Sequence, residues 1–419
     1  MRFKSIFKSA LTIALLAPLP FAAGSTAKAQ GIDGQTTGTI KRIQLAQSSV
    51  SPIRGTLRQG LDALSSKDTK RALAIRAAMQ PGSLDRKVLA WAIALSPSAR
   101  PRPGDIAKIA NDLPNWPGQN AMRANFERAL VRAKANDNTI IRALGGQMPK
   151  SDAGKRALAL AYMRTGQKNR AAAIIRPWWY KAKLKTSEQG KYAKQFAPIL
   201  RKADHKRRMD AMLYNDRANA AIALAPLANA ESLAAGRAAV IRKSGKASAA
   251  LNKVHPSLKR DAGYIFSKIQ LARRSERYSE AARLLLDAPR DPNVLIDPDE
   301  WWVERRIVSR AMLDKGDART AYAIAAGHSA TGRRSRVEAE FHAGWFAVRY
   351  LGDPRRAQVH FANILKISTQ PLSVSRANYW LGRTSQAAGS SANARTYYQR
   401  AAAYPGTFYG QLAHVKLGN

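Results

Sequence analysis

Four times in the last third of the chain an alanine is followed, four residues on, by a large aromatic or aliphatic side chain: Ala281/Leu285, Ala318/Tyr322, Ala357/Phe361 and Ala394/Tyr398. The alanines stand 37, 39 and 37 residues apart, and turn-forming stretches precede them (RRSERYSEA, DKGDA, LGDPRRA, GSSANA). Few folds accommodate such a period. Positions i and i+4 share one face of a helix, so a small alanine lets the preceding helix come close while the larger residue fills the same seam. One helical hairpin cannot bury that seam alone, so neighbouring hairpins must stack. The expected fold is therefore all-α, a superhelical array of antiparallel helix pairs of the tetratricopeptide-like α-solenoid kind. Leu381-Gly382, Ala394, Tyr398, Ala401 and Pro405 fall at or within one residue of the preferred tetratricopeptide places.

Earlier members of the series are less regular: Ala171/Ile175 after TGQKNRA, Ala218/Ile222 after NDRANA and Ala247/Leu251 after SGKASA. Before residue 150 the pattern fades into irregular helices around Trp91, Trp116 and Phe126. Strand-type alternation of β-branched residues is scarce throughout. The array is expected over residues 49–419, with its hairpins clearest at 265–419.

The N-terminus reads differently. Arg2, Lys4 and Lys8 precede a short apolar run, Ala10 to Ala23, and Ala27-Lys28-Ala29 makes a small-residue cleavage site. That is the layout of an export signal over residues 1–29. The apolar run is too short, and too interrupted by Pro18 and Pro20, for a membrane span. Residues 30–48 (QGIDGQTTGTIKRIQLAQS) are Gly/Thr-rich and read as a flexible polar leader. The mature protein is expected outside the cytoplasm, in the periplasm, with no transmembrane segment. With no cysteine in the chain, disulfides and thiolate metal sites are excluded.

Charge is the most unusual bulk property. Seventy Lys and Arg against 28 Asp and Glu give +42, and the signal removes four cations and no acid, leaving +38. Such a field attracts polyanions. In the cytoplasm nucleic acid would come first to mind; the export signal argues against it and points to wall carboxylates and lipid phosphates. General solubility explains the same charge equally well, since net charge speaks to partners and not to fold.

Catalytic motifs are missing. There is no H-E-x-x-H and no G-x-S-x-G, and the Gly-Lys pairs at 154, 190 and 245 have Pro149, Lys185 and Val240 where a P-loop needs glycine. His342 and His360 lack a third ligand and read as packing or surface residues; no metal or other cofactor is expected. Glu300, Glu304, Glu338 and Glu340 lie beside arginines, which hold a carboxylate ionised, so structural ion pairs are the expected role. Two tryptophan doublets, Trp178-Trp179 and Trp301-Trp302, are the candidate substrate-binding residues, because indole faces can stack on sugar rings. The competing role is packing: consecutive helical residues point about 100° apart, so one Trp of a pair can face its own seam and the other the next hairpin.

Four blocks in order, DPDEWWVERR (297–306), GDARTAYAIAAGH (316–328), AEFHAGWFAVRYLGDPRRAQVHF (339–361) and ANYWLGRTSQAAG…ARTYYQRAAAYPGTFYGQLA (377–413), resemble the soluble lytic murein transglycosylases. The likeness is to the helical, ring-like superhelix that precedes their catalytic domain, good over about 150–419 and weak over 50–150. It implies enzymes that cleave peptidoglycan between N-acetylmuramic acid and N-acetylglucosamine, leaving a 1,6-anhydro end. One glutamic acid, in a lysozyme-like domain, serves as acid and then base, unlike the two-carboxylate glycosidases. That domain, with its Glu-Ser pair and later Gly-Leu-Met-Gln, would follow Asn419. The Glu231-Ser232 pair here lies inside the helical array with no such run after it, so no catalytic residue is assigned. The resemblance makes the chain a scaffold that binds or positions murein, with a catalytic domain on a separate chain as a possible partner. The alternative is an exported tetratricopeptide-like adaptor for envelope proteins.

Overall fold

The computed structural model describes residues 45–418 apart from 97 and 99, all within one unit, Ile40–Asn419. The expected signal, and the leader up to residue 44, lie outside the described residues. Among the described residues there are 23 α-helices and no strand. The first group is α1 (Leu57–Ser65), α2 (Thr69–Ala78), α3 (Leu84–Leu95), α4 (Pro103–Asp112), α5 (Gln119–Arg132) and α6 (Asp137–Leu144). The middle of the chain holds α7 (Asp152–Arg164), α8 (Lys168–Lys181), α9 (Thr186–Gln195), α10 (Lys202–Tyr214), α11 (Ala218–Ala228), α12 (Glu231–Ile241) and α13 (Ala247–Asn252). Then come α14 (Ala262–Arg274), α15 (Tyr278–Leu286), α16 (Pro292–Leu295), α17 (Pro298–Asp314) and α18 (Ala318–Ala326). The longest helices close the series: α19 (Arg333–Tyr350), α20 (Pro354–Ile367), α21 (Pro371–Ala387), α22 (Ser391–Ala402) and α23 (Phe408–Leu417).

Most helices pack on a helix next to them in sequence, and α8 on α10, α10 on α12, α17 on α19 and α21 on α23 join successive pairs. That is an α-solenoid of helical hairpins. The turns inside the hairpins share one chemistry. In many of them the backbone N–H just past a left-handed residue bonds back five residues, among them Gln167 to Tyr162, Arg217 to Met212, Arg277 to Ala272, Asp317 to Met312 and Ser390 to Ser385. The left-handed residues of these are Gly166, Asp216, Glu276, Gly316 and Gly389. These closures satisfy carbonyls that a helix end leaves open, and they send the next helix back antiparallel. Asp317 and Asp353 then cap the following helices, accepting from Thr320 N (3.0 Å) and Arg356 N (2.9 Å).

The seams form largely as the period requires. Ala281, Leu285, Ala357 and Phe361 are fully buried, and Ala394 and Tyr398 nearly so. Glycines on the partner helices admit the rings. A Cβ on Gly344 would lie 2.7 Å from Phe361, and one on Gly382 would lie 2.6 Å from Tyr398. Two members of the sequence series are out of register. In α18 the seam holds Ala321 and Ala325, both fully buried, while Ala318 and Tyr322 are only partly covered. In α11 it holds Ala221 and Ala225, and Ile222 is exposed. In both helices the fourth residue is the fully buried one; the first is partly covered in α18 and buried to 6% exposure in α11.

The leader also ends earlier than expected. Ser48 donates to Asp105 from its backbone N–H (3.0 Å) and its hydroxyl (2.7 Å), so the chain is already held there. Gly104 lets it pass: a Cβ there would sit 2.6 Å from the carbonyls of Leu45 and Ala46.

Candidate functional site

The tryptophan doublets come first, and the structure corrects the expectation of a stacking surface. Trp178, Trp179, Trp301 and Trp302 are all buried, none more than 5% exposed, so no indole face is open to a sugar ring. Arg208 lies 4.4 Å over the ring of Trp179, and Tyr192 packs edge-on to Trp178 at 5.5 Å. The Nε1–H of Trp301 reaches back to Tyr214 on α10 (3.0 Å), whereas that of Trp302 reaches forward to Glu338 on α19 (3.1 Å). Two adjacent residues thus bind two different neighbours. Their energy goes into the stack.

The carboxylates divide. Glu304 is buried and paired to Arg273 through both oxygens (2.5 and 3.0 Å), and Glu338 pairs with Arg306 (2.8 Å). Glu340 has histidines and not arginine as partners: His360 at 2.7 Å and His328 at 3.7 Å. Burial pushes the Glu340 carboxyl up, but hydrogen bonds from His328 and His360 outweigh it and hold the group down at about 2. Glu300 departs from the expected ion-pair role, since burial first and then Asp297 and Asp216 push it above the ordinary range. His342 is held between Glu338 O and Arg310, each at 2.7 Å, and His360 Nε2 meets Tyr322 OH at 2.9 Å. Glu231 is exposed at the first position of α12; Ser232 only accepts a bond from His255 N at 3.1 Å. Nothing positions that carboxyl as an acid.

A basic cleft emerges instead from KAKLK, residues 181–185, between α8 and α9. Helix α8 stops at Lys181, and Ala182 and Lys185 are extended (ψ 127° and 157°). Along an extended chain side chains alternate sides, so Leu184 turns into the core while Lys183 and Lys185 face out. The backbone carbonyls of this non-helical stretch need partners, and two arginines supply them. Buried Arg208 donates to Trp179 O, to Ala182 O (3.1 Å) and, through Nε, to Gln189 (3.0 Å). Arg217 donates to Leu184 O at 2.5 Å. Desolvation first, and then Arg217, lower Arg208 to about 10; it stays a cation at neutral pH. The cleft encloses about 680 Å³ and is lined by Lys181, Lys183, Lys185, Arg208 and Arg217, with no carboxylate among the described residues on its wall. Sequence reading missed it. The alternation in KAKLK was visible, but the arginines that clamp it come from α10 and the α10–α11 turn.

No protein-family model matches this sequence, and no curated protein matches it. Among solved structures the chain is similar to one in the crystal structure of the APC/C hetero-tetramer Cut9–Hcn1. The two share 13% identity over 86% of this chain and 83% of that one, with a TM-score of 0.24. Likeness at that level carries no argument; the fold rests on the helices and their packing. Among the described residues no helix is long and apolar enough to cross a membrane, and no group of three His, Asp or Glu side chains has metal-binding geometry.

Proposed function

We propose that this chain is a non-catalytic helical scaffold that holds an anionic polymer, and that the polymer is peptidoglycan, the substrate class of the lytic transglycosylases its C-terminal blocks resemble. The observation that carries the reading is the cleft at 181–185, which three lysines and Arg217 line with buried Arg208 behind them, and which no carboxylate among the described residues lines. A concave surface of one sign attracts a polyanion that comes within about a Debye length, ~8–10 Å at physiological salt, and holds it in proportion to the charges met. Wall peptides supply carboxylates at regular spacing, which suits a row of lysines on a clamped, extended segment. The acidic groups on the described helices support a scaffold role too: Glu304 and Glu338 are engaged with arginines, and Glu231 stands in solvent. In this reading the protein acts outside the cytoplasm, and chemistry on the glycan belongs to another domain or chain.

The test is sedimentation with purified sacculi, using the chain from Gln30 at low and raised salt. Binding that weakens with salt, falls several-fold in a Lys181→Ser/Lys183→Ser/Lys185→Ser variant, and releases no 1,6-anhydro products is the expected result. A protein that stays in the supernatant at low salt, or a triple variant that sediments like the parent, sinks the reading. Release of anhydro-muropeptides would overturn its non-catalytic part.

A further inference from the structure

A second cavity, of about 280 Å³, lies where the end of α10 and the turn after it meet α12, α14 and the first turn of α17. Tyr214, Asp216, Arg237, Gln270, Arg274 and Glu300 line it. It shares no wall with the basic cleft apart from Asn215. Its charges are of both signs.

Glu300 is the first unusual feature. It stands three residues after Asp297, the N-cap of α17, whose side chain accepts from Glu300 N at 3.3 Å. At that position a polar side chain ordinarily reaches back to the N-cap N–H. Gln59 does so on Thr56 (2.9 Å), Glu188 on Lys185 (2.9 Å) and Asp204 on Arg201 (2.8 Å). Glu300 does not close that bond and forms no ion pair among the described residues; it lines the cavity instead. Burial, and then the neighbouring Asp297 and Asp216, raise its affinity for a proton, which is the mark of a carboxylate short of a positive partner.

Arg237 is the second. It is 1% exposed; its Nη1 donates to Asp210 at 2.8 Å, and its Nε is buried with no partner. That Nε has no surface open to the cavity, so Arg237 supplies a fixed positive charge behind the wall and not a free donor. Arg274 completes the set. It donates to Val240 O at 2.5 Å from one nitrogen and has no carboxylate partner. Among the described residues the cavity thus holds a carboxylate, Glu300, with no cation paired to it and a cation, Arg274, with no carboxylate paired to it.

We propose that this cavity binds a small zwitterion, an α-amino acid or a dipeptide, with its ammonium on Glu300 and Asp216 and its carboxylate on Arg274, backed by the buried charge of Arg237. The size agrees: pockets for drug-sized ligands run to roughly 300–1,000 Å³, and this one lies just below that range. Charge-assisted bonds at both ends make the pairing specific for a molecule carrying both charges. The site is independent of the basic cleft, so either assignment stands or falls without the other.

Titration calorimetry on the full chain tests it with glycine, L-alanine, L-glutamine and glycylglycine, and with the two halves of a zwitterion, ethylamine and acetate, at equal concentration. Saturable binding of at least one zwitterion is expected, with neither half binding comparably. Glu300→Gln, which keeps size and shape, is expected to weaken binding about tenfold or more. Arg274→Gln should do the same, provided its melting curve shows it folded. In mildly acidic solution the incoming ammonium displaces a proton from Glu300, so the heat should vary with buffer in the parent and not in Glu300→Gln. No saturable heat from any zwitterion, halves that bind as well as the whole, or a folded Glu300→Gln that binds like the parent would each overturn the proposal.

Discussion

At the scale of single residues, the seams depend on absences of atoms as much as on rings. Phe361 is fully buried against Gly344, where a Cβ would approach its ring to 2.7 Å. Gly344→Ala would gain about 1 kcal/mol of helix propensity, yet crowding a packed ring costs about 1–3 kcal/mol. A net loss is expected in urea denaturation. In a Phe361→Leu background the same substitution should become stabilising, because the obstacle is gone; two equal effects in the two backgrounds would refute the steric account. Glu340 gives the pH counterpart. Its folded-state value, about 2, lies below its ordinary 4.5, so the ionised carboxylate adds stability that is complete above the higher value. That stability drains away as pH falls toward the lower one, by up to about 3 kcal/mol. Acid titrations of stability should show a shallower decline for Glu340→Gln than for the parent over that window. Parallel curves would show that His328 and His360 do not act through this carboxylate.

At the scale of elements, the hairpin turn is the repeated device, and it was only partly visible beforehand. Gly166, Gly316 and Gly389 announce a left-handed residue, since glycine alone enters that region without a Cβ clash. Asp216 and Glu276 hold the same place with φ of 55° and 58°; aspartate is tolerated there, but no sequence rule marks the glutamate. Glu276→Gly is therefore expected to raise stability by up to about 1 kcal/mol, and Gly316→Ala to lower it by about as much. Melting temperatures of the two variants, moving in opposite directions, check both. The missed register in α11 and α18 has a related cause. These helices carry alanine at several phases, so Ala218 and Ala318 satisfy the spacing as well as Ala221 and Ala321 do, and only the position of the turn decides between them. The period was thus legible, and its phase in these two helices was not. For the sites the failing was different. Trp178, Trp179, Trp301 and Trp302 were conspicuous by type, but type does not say which way a helix face turns. The basic cleft and the mixed-charge cavity draw their walls from α8, α10, α12, α14 and α17, segments far apart in sequence.

At the scale of the whole array, the core is a succession of clusters and not one mass. The first runs from Ala63 to Tyr264, the second from Tyr214 to Phe346, the third from Val337 to Leu381 and the last from Tyr379 to Ala413. Each joins the next through a few shared helices, so stability is close to a sum of local terms and neighbour interfaces. Loss of one link should then open the chain locally. Phe361→Ala removes the largest fully buried side chain of the third cluster, at a cost of about 3–5 kcal/mol. Hydrogen exchange on the full chain is expected to lose protection in α19 to α23, which depend on that cluster and the one beyond it. Helices α1 to α8, buried in the first cluster, should exchange as in the parent, because no contact connects them to Phe361 except through every hairpin between. A uniform loss of protection from α1 to α23 would mean that the array unfolds as one cooperative body, and the nearest-neighbour account would have to be given up.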